Sequence, residues 1–324
     1  MPDVTYRHHF KPKLKLVDDT LFVCAYTGIY KKNLRDNTDW ELYAFENVPV
    51  KEFVRNGDKL LAISTGKAGL YSPYENTDSL LLLSNDNGRT FINFTSPHFF
   101  QYEDFNHLYR IAQNPENPNS ILISQACYGI SKSDDFGTTW RTLTDENMGF
   151  QDWDLTYHPS DTTIFFHTGE LMYFDARIRK FYNDGETWFD YQVPNHCIHS
   201  LAFHPTNPDV LVYCGEGQFG KSADRGETYQ RVNTNTNPIY FYKVLFDGEN
   251  PETLYSSGAK NDENKDSIIV HRSTDTGDSW QFFYSGYVGE DRGFVMDMVK
   301  YKNKLIFYTR DWELFELDLE TQEN

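Results

Sequence analysis

An eight-residue pattern, Ser-x-Asp-x-Gly-x-Thr-aromatic, recurs along this 324-residue chain and restricts what it can fold into. The fullest copy occupies residues 273–280, and the others occupy 84–91, 133–140, 181–188 and 222–229. Each copy lies between two apolar, β-branched or aromatic runs. Gly88, Gly137, Gly185, Gly226 and Gly277 fall where a hairpin turn needs positive φ, which glycine adopts without steric cost. The aspartate two residues earlier can fold its carboxylate onto backbone N–H groups of the turn, and the flanking Ser and Thr hydroxyls can join it. The closing Trp, Phe or Tyr opens the next strand with a large apolar surface. On this reading Asp86, Asp135, Asp224 and Asp275 build turns and do not catalyse.

The five glycines recur every 41 to 51 residues. A period of roughly 40–50 residues holding several short strands is the spacing of propeller blades. A second repeating signal, the polar turns at 114–119, 158–161, 204–208 and 247–251, marks the bend between the first two strands of a unit. Two further units lack the full pattern: 14–44, with Asn37 at the glycine position, and 294–319. The expected fold is all-β, a single seven-bladed β-propeller of four-stranded blades. The blades are 14–44, 50–95, 107–143, 153–192, 198–232, 241–283, and 294–319 completed by 4–10. One domain then spans 1–324, with the terminal strands pairing in the last blade and removing exposed sheet edges.

The repeated pattern resembles the Asp-box, or bacterial neuraminidase repeat, of a β-propeller group. That group includes sialidases, xyloglucan-active hydrolases, sortilin-type receptors and a photosystem assembly factor. The resemblance implies either a carbohydrate-active protein or a non-catalytic scaffold. Sialidases of the group carry an Arg-Ile-Pro element near the N-terminus, which is missing here; the nearest N-terminal arginine is Arg7. The xyloglucan hydrolases resemble two such propellers in tandem, with an Asp-Gly-Gly stretch in the first blade, where this chain has Tyr-Thr-Gly-Ile-Tyr at 26–30.

The net charge is −18 with no basic stripe, so nucleic acid and anionic membrane surfaces are poor partners. No apolar run is long enough to span a membrane. Residues 1–10 carry no apolar secretory core, which fits either a cytoplasmic address or an export signal already removed. Cys24, Cys127, Cys197 and Cys214 lack paired spacing and read as buried free thiols, with no disulfide framework, metal site or cofactor expected.

A propeller places its A–B and C–D turns at one end and its B–C and D–A loops at the other. The repeated pattern forms C–D turns, so function is expected on the opposite loops around the channel mouth. Those loops mix aromatic rings, carboxylates and histidines, the chemistry of oligo- or polysaccharide recognition. Glycosidic cleavage needs two carboxyls roughly 5–10 Å apart. Asp104, Asp152, Glu216 and Asp291 are the catalytic candidates, with Glu290 and Asp311 beside them. His107, Trp153, His199, Tyr240, Arg292 and Arg310 are the substrate-binding candidates. The expected activity is glycoside hydrolase-like; a protein-binding scaffold and a lyase acting on uronic acids are the alternatives.

Overall fold

A computed structural model describes residues 13–64, 81–93, 108–125, 129–144, 151–170, 175–194, 197–232, 239–260, 266–290, 292–309 and 313–322. The described chain is built of antiparallel sheet, broken only by short turns such as the 3-10 turns Asn183–Gly185 and Glu320–Gln322. Six sheets have four strands and one has three, each assembled from consecutive segments of chain. The fold is a seven-bladed β-propeller. Residues 4–10, expected to complete the last blade, lie outside the described residues. The chain divides into two compact units, Met1–Tyr157 and His158–Asn324.

Blade 3 shows how sequence becomes blade. Its strands are Leu108–Gln113, Ile121–Gln125, Gly129–Ser133 and Arg141–Thr144. Ile121, Leu122 and Ile123 are fully buried on both sides of the second strand, because neighbouring blades cover both faces of the sheet. The fourth strand is more exposed and its side chains turn polar.

The repeated turn is closed by its own side chains. Ser133 Oγ accepts the Gly137 N–H at 2.7 Å and donates to Asp135 Oδ1 at 2.8 Å. Asp135 in turn accepts the Thr139 N–H at 2.8 Å and the Thr139 hydroxyl at 2.7 Å. The same bonds recur around Asp86, Asp224 and Asp275. In each turn the residue before the glycine also has positive φ: 57° at Asn87, 59° at Phe136, 62° at Arg225 and 58° at Thr276. Two successive left-handed residues give the twist that suits a tight hairpin. The copy at 181–188 keeps the left-handed pair, with φ 62° at Asp184 and 93° at Gly185, but differs in its closure. It has Phe181 where the others have Ser, and its turn is the 3-10 segment Asn183–Gly185.

The glycines serve a second purpose that spacing alone does not reveal. A Cβ on Gly88 would lie 2.3 Å from the Ala44 Cβ, one on Gly137 2.7 Å from Leu61, and one on Gly226 2.6 Å from Phe166. Each of these neighbours belongs to the preceding blade. The closing aromatic presses the same way: Trp280 stacks on Phe219 with ring centroids 3.8 Å apart, and Phe91 meets Phe45 edge-on at 5.3 Å. The repeated turn is thus a hairpin closure and a blade-to-blade contact at once.

It also docks onto the A–B turn of its own blade. The left-handed residue donates its N–H to that turn: Asn87 to Asp58, Phe136 to Asn119, Arg225 to Asp209 and Thr276 to Glu252, all at 2.8 Å. In blades 3 to 6 the A–B turn is capped by its first side chain. Asn114 and Asp247 accept backbone N–H groups through Oδ1, and His158 and His204 do so through Nδ1. Both turn types therefore share one end of the blade, leaving the B–C and D–A segments at the other.

Candidate functional site

The first strands of blades 2, 3, 5, 6 and 7 each carry a β-bulge near their start. The register slips by one residue at Lys51, Tyr109, His199, Tyr242 and Met296. A bulge re-aims the extra side chain. In blade 2 the buried Lys51 reaches forward to the Leu108 carbonyl of blade 3 at 2.9 Å, with its ammonium 4.8 Å from the Tyr109 ring. In blade 5 His199 repeats this contact. Its Nδ1 lies 2.7 Å from the Phe241 carbonyl of blade 6, and its ring stacks on Tyr242 at 4.9 Å. The carbonyl can only accept, so Nδ1 carries a proton and donates it there.

Around His199 the chain gathers further chemistry. The B–C turn of blade 5, between strands Leu211–Gly215 and Gln218–Ser222, places Glu216 beside Cys197. Glu216 donates its N–H to the Cys197 carbonyl at 3.1 Å, and its backbone bridges Tyr240 at the start of blade 6. Gly215 makes this approach feasible, because a Cβ there would sit 1.9 Å from the Cys197 carbonyl oxygen. The Cys197 thiol, an imidazole nitrogen of His199 and a Glu216 carboxylate oxygen all lie within 4.8 Å of one another. Cys197 and His199 are buried, while Glu216, Tyr240 and Tyr242 are half-buried.

The structure therefore brings together three of the residues expected from sequence, Glu216, His199 and Tyr240, and adds Cys197 and Tyr242. From the sequence alone Cys197 reads as a buried free thiol. The signal for it was present in Cys197-Ile-His199, an i, i+2 pair at a strand start, where alternate side chains share a face. The bulge at His199 could not be anticipated. Arg292 is placed elsewhere: it is exposed and pairs with Glu313 at 3.0 and 3.2 Å. The backbone of Asp152 and Trp153 lies in the strand Gln151–Tyr157. Asp104, His107, Asp291 and Arg310 lie outside the described residues, as does Cys127.

A second concavity, of about 1040 Å³, lies where blades 1 and 2 meet at the end carrying the repeated turns, lined among others by Lys31, Tyr43, Arg55, Asn87 and Arg89. Its polar groups bond one another: Tyr43 donates to Asn87 at 3.2 Å and Asn87 to Asp58 at 2.6 Å.

No family model and no curated protein matches this chain. Solved structures do. A GH74 xyloglucanase from Xanthomonas campestris aligns with a TM-score of 0.68 at 13% identity, covering 93% of this chain and 50% of that one. This chain thus spans about half the length of that enzyme. YCF48 from Cyanidioschyzon merolae aligns with a TM-score of 0.66 at 12% identity, covering 96% of this chain and 97% of that one. A structure of YCF48 bound to D1 peptide aligns at 0.63 and 12% identity, covering 95% and 91%. At these identities the likeness is one of fold.

Proposed function

We propose that this chain is a non-catalytic binding propeller whose B–C and D–A end takes an extended polypeptide. The observation that carries this reading is the patch of half-buried Tyr240, Tyr242 and Glu216 over the buried His199 across the junction of blades 5 and 6. Aromatic side chains in a partly desolvated polar setting are the usual anchors of protein interfaces. The groups gathered around Glu216 are a thiol and an imidazole, a set that serves binding better than the paired carboxyls of glycosidic hydrolysis. The end-to-end similarity to YCF48, a single propeller solved with a peptide bound, supports the same reading. The repeated turns are read as Asp-boxes, with Asp86, Asp135, Asp224 and Asp275 as turn-builders.

The second reading is a glycan-active propeller. Its support is the similarity to a xyloglucanase together with the aromatic and acidic content of the loops, and its carboxyls would come from Asp104, Asp152, Glu216 and Asp291. One experiment separates the two. The chain is tested against a panel of plant and bacterial oligosaccharides for turnover and saturable binding, and in parallel against a displayed peptide library. The proposed function predicts selected peptides whose binding falls at least tenfold in Tyr240→Ala. New reducing ends from any glycan would establish the second reading instead.

A further inference from the structure

The groups around Cys197 fit a ligand that neither reading above requires. A thiol and a carboxylate within 4.8 Å of each other are an uncomfortable pair. Ionising both places two negative charges side by side, which raises the cost of the thiolate unless a cation lies between them. The His199 imidazole completes the set. A cysteine hydrolase is the competing use of such residues, and the geometry disfavours it. There the third group orients the histidine, whereas here the Phe241 carbonyl already does so at 2.7 Å, leaving Glu216 to crowd the thiol.

We infer that Cys197, His199 and Glu216 form a binding site for a divalent transition-metal ion, with zinc the best fit. Thiolate, imidazole and carboxylate together suit zinc and exclude calcium and magnesium, which take oxygen ligands. Three protein ligands leave a fourth tetrahedral position for water or an incoming group. In a bound site the ligand atoms lie about 3.3–3.6 Å apart, from metal–ligand distances of roughly 2.0–2.3 Å. The present span of up to 4.8 Å closes by a shift of about 1 Å. The half-buried Glu216 side chain has more room to move than the buried Cys197 and His199. The surroundings are those of a prepared ligand set. The Nδ1–H of His199 is held by a backbone carbonyl, which sets its tautomer and raises the basicity of Nε2. The ring lies against Tyr242, and the tight approach at Gly215 holds the Glu216 backbone against Cys197.

Binding requires the Cys197 thiol to lose its proton to solvent, so one proton is released per ion and affinity weakens as pH falls. The test uses the full chain, stripped with chelator and titrated with zinc and with cobalt. Expected are one ion per chain, a thiolate-to-cobalt charge-transfer band in the near ultraviolet, and one proton released on calorimetry in buffers of different ionisation heat. Cys197→Ser should abolish the band. Glu216→Gln, a change at a half-buried turn that spares the core, should weaken zinc by about tenfold or more. Failure of the wild-type chain to bind zinc or cobalt saturably would overturn the inference. So would a cobalt complex lacking the charge-transfer band, or affinity unchanged in both variants while both retain native circular dichroism. Peptide binding by the metal-stripped chain is measured separately, so the loss of either property leaves the other standing.

Discussion

Ser273, 1% exposed, receives the buried Gly277 N–H at 2.9 Å and gives its own proton to Asp275 at 2.7 Å. Removing that hydroxyl strands a backbone donor in the interior. Ser273→Ala should therefore lower stability by about 1–3 kcal/mol in urea denaturation, with the slope unchanged. Thr276, one residue before the glycine, holds φ at 58°, an uncommon place for a β-branched side chain. Asparagine tolerates that conformation, so Thr276→Asn should raise stability by roughly 1 kcal/mol in the same assay. The Asp86 carboxyl is held down to about 2, chiefly by the hydroxyl and N–H of Thr90. Hydrogen bonds likewise hold Asp135, Asp224 and Asp275 below the ordinary carboxylate value, although burial opposes them. Histidines govern the milder acid range. His271 sits in blade 6 between Phe241 and Phe282, and burial lowers its pKa from 6.5 to about 4. The unfolded imidazole takes up its proton near pH 6.5 while the folded one stays neutral to about 4. The stabilisation is therefore complete above 6.5 and drains away as pH falls towards 4. His158 and His204, both lowered first by burial and next by a nearby cation, move in the same direction. The unfolding free energy from urea denaturation should fall as pH drops from 6.5 to 4, by roughly 2–3 kcal/mol for His271, and His271→Leu should flatten that dependence.

Between elements, the blades are joined by contacts that repeat from one junction to the next. Lys180 in the third strand of blade 4 pairs with Glu227 at 2.6 Å, and Lys221 in the third strand of blade 5 pairs with Asp278 at 2.8 Å. Both acids directly follow the glycine of the next repeated turn. At the opposite end the bulge residues Lys51 and His199 reach forward to the next first strand. Lys51→Met keeps the aliphatic stem but removes the bond to the Leu108 carbonyl, and should cost about 1–2 kcal/mol in the same denaturation measurement. Much of this architecture was legible in the sequence. The glycine spacing and the A–B turns located the hairpins, because a turn's φ requirements are local and residue-specific. The bulges were not legible, since a bulge is defined by what the partner strand does. The pairing of Cys197 with Glu216 was hidden for a related reason: nineteen positions separate them, and the approach depends on the missing Cβ of Gly215. The copy at 181–188 keeps the left-handed pair and donates the Asp184 N–H to Thr163 at 2.8 Å like the others, but Phe181 stands where they have the bonding Ser.

For the whole molecule, seven sheets built from consecutive segments are proposed to act as one domain across 1–324. One cooperative calorimetric transition is expected, whereas two resolved transitions would make Met1–Tyr157 and His158–Asn324 separate folding units. The division of labour between the two ends of the blades is the central claim. The repeated turns at one end hold the fold together, and the loops at the other are proposed to meet the ligand. The decisive measurement takes a peptide selected from a displayed library and compares its affinity and the thermal midpoint across two variants, Ser273→Ala and Tyr240→Ala. The account predicts that Ser273→Ala lowers the midpoint with affinity unchanged below it, while Tyr240→Ala loses at least tenfold in affinity with a far smaller change in midpoint. Affinity lost through Ser273→Ala in the folded protein, and retained in Tyr240→Ala, would contradict it.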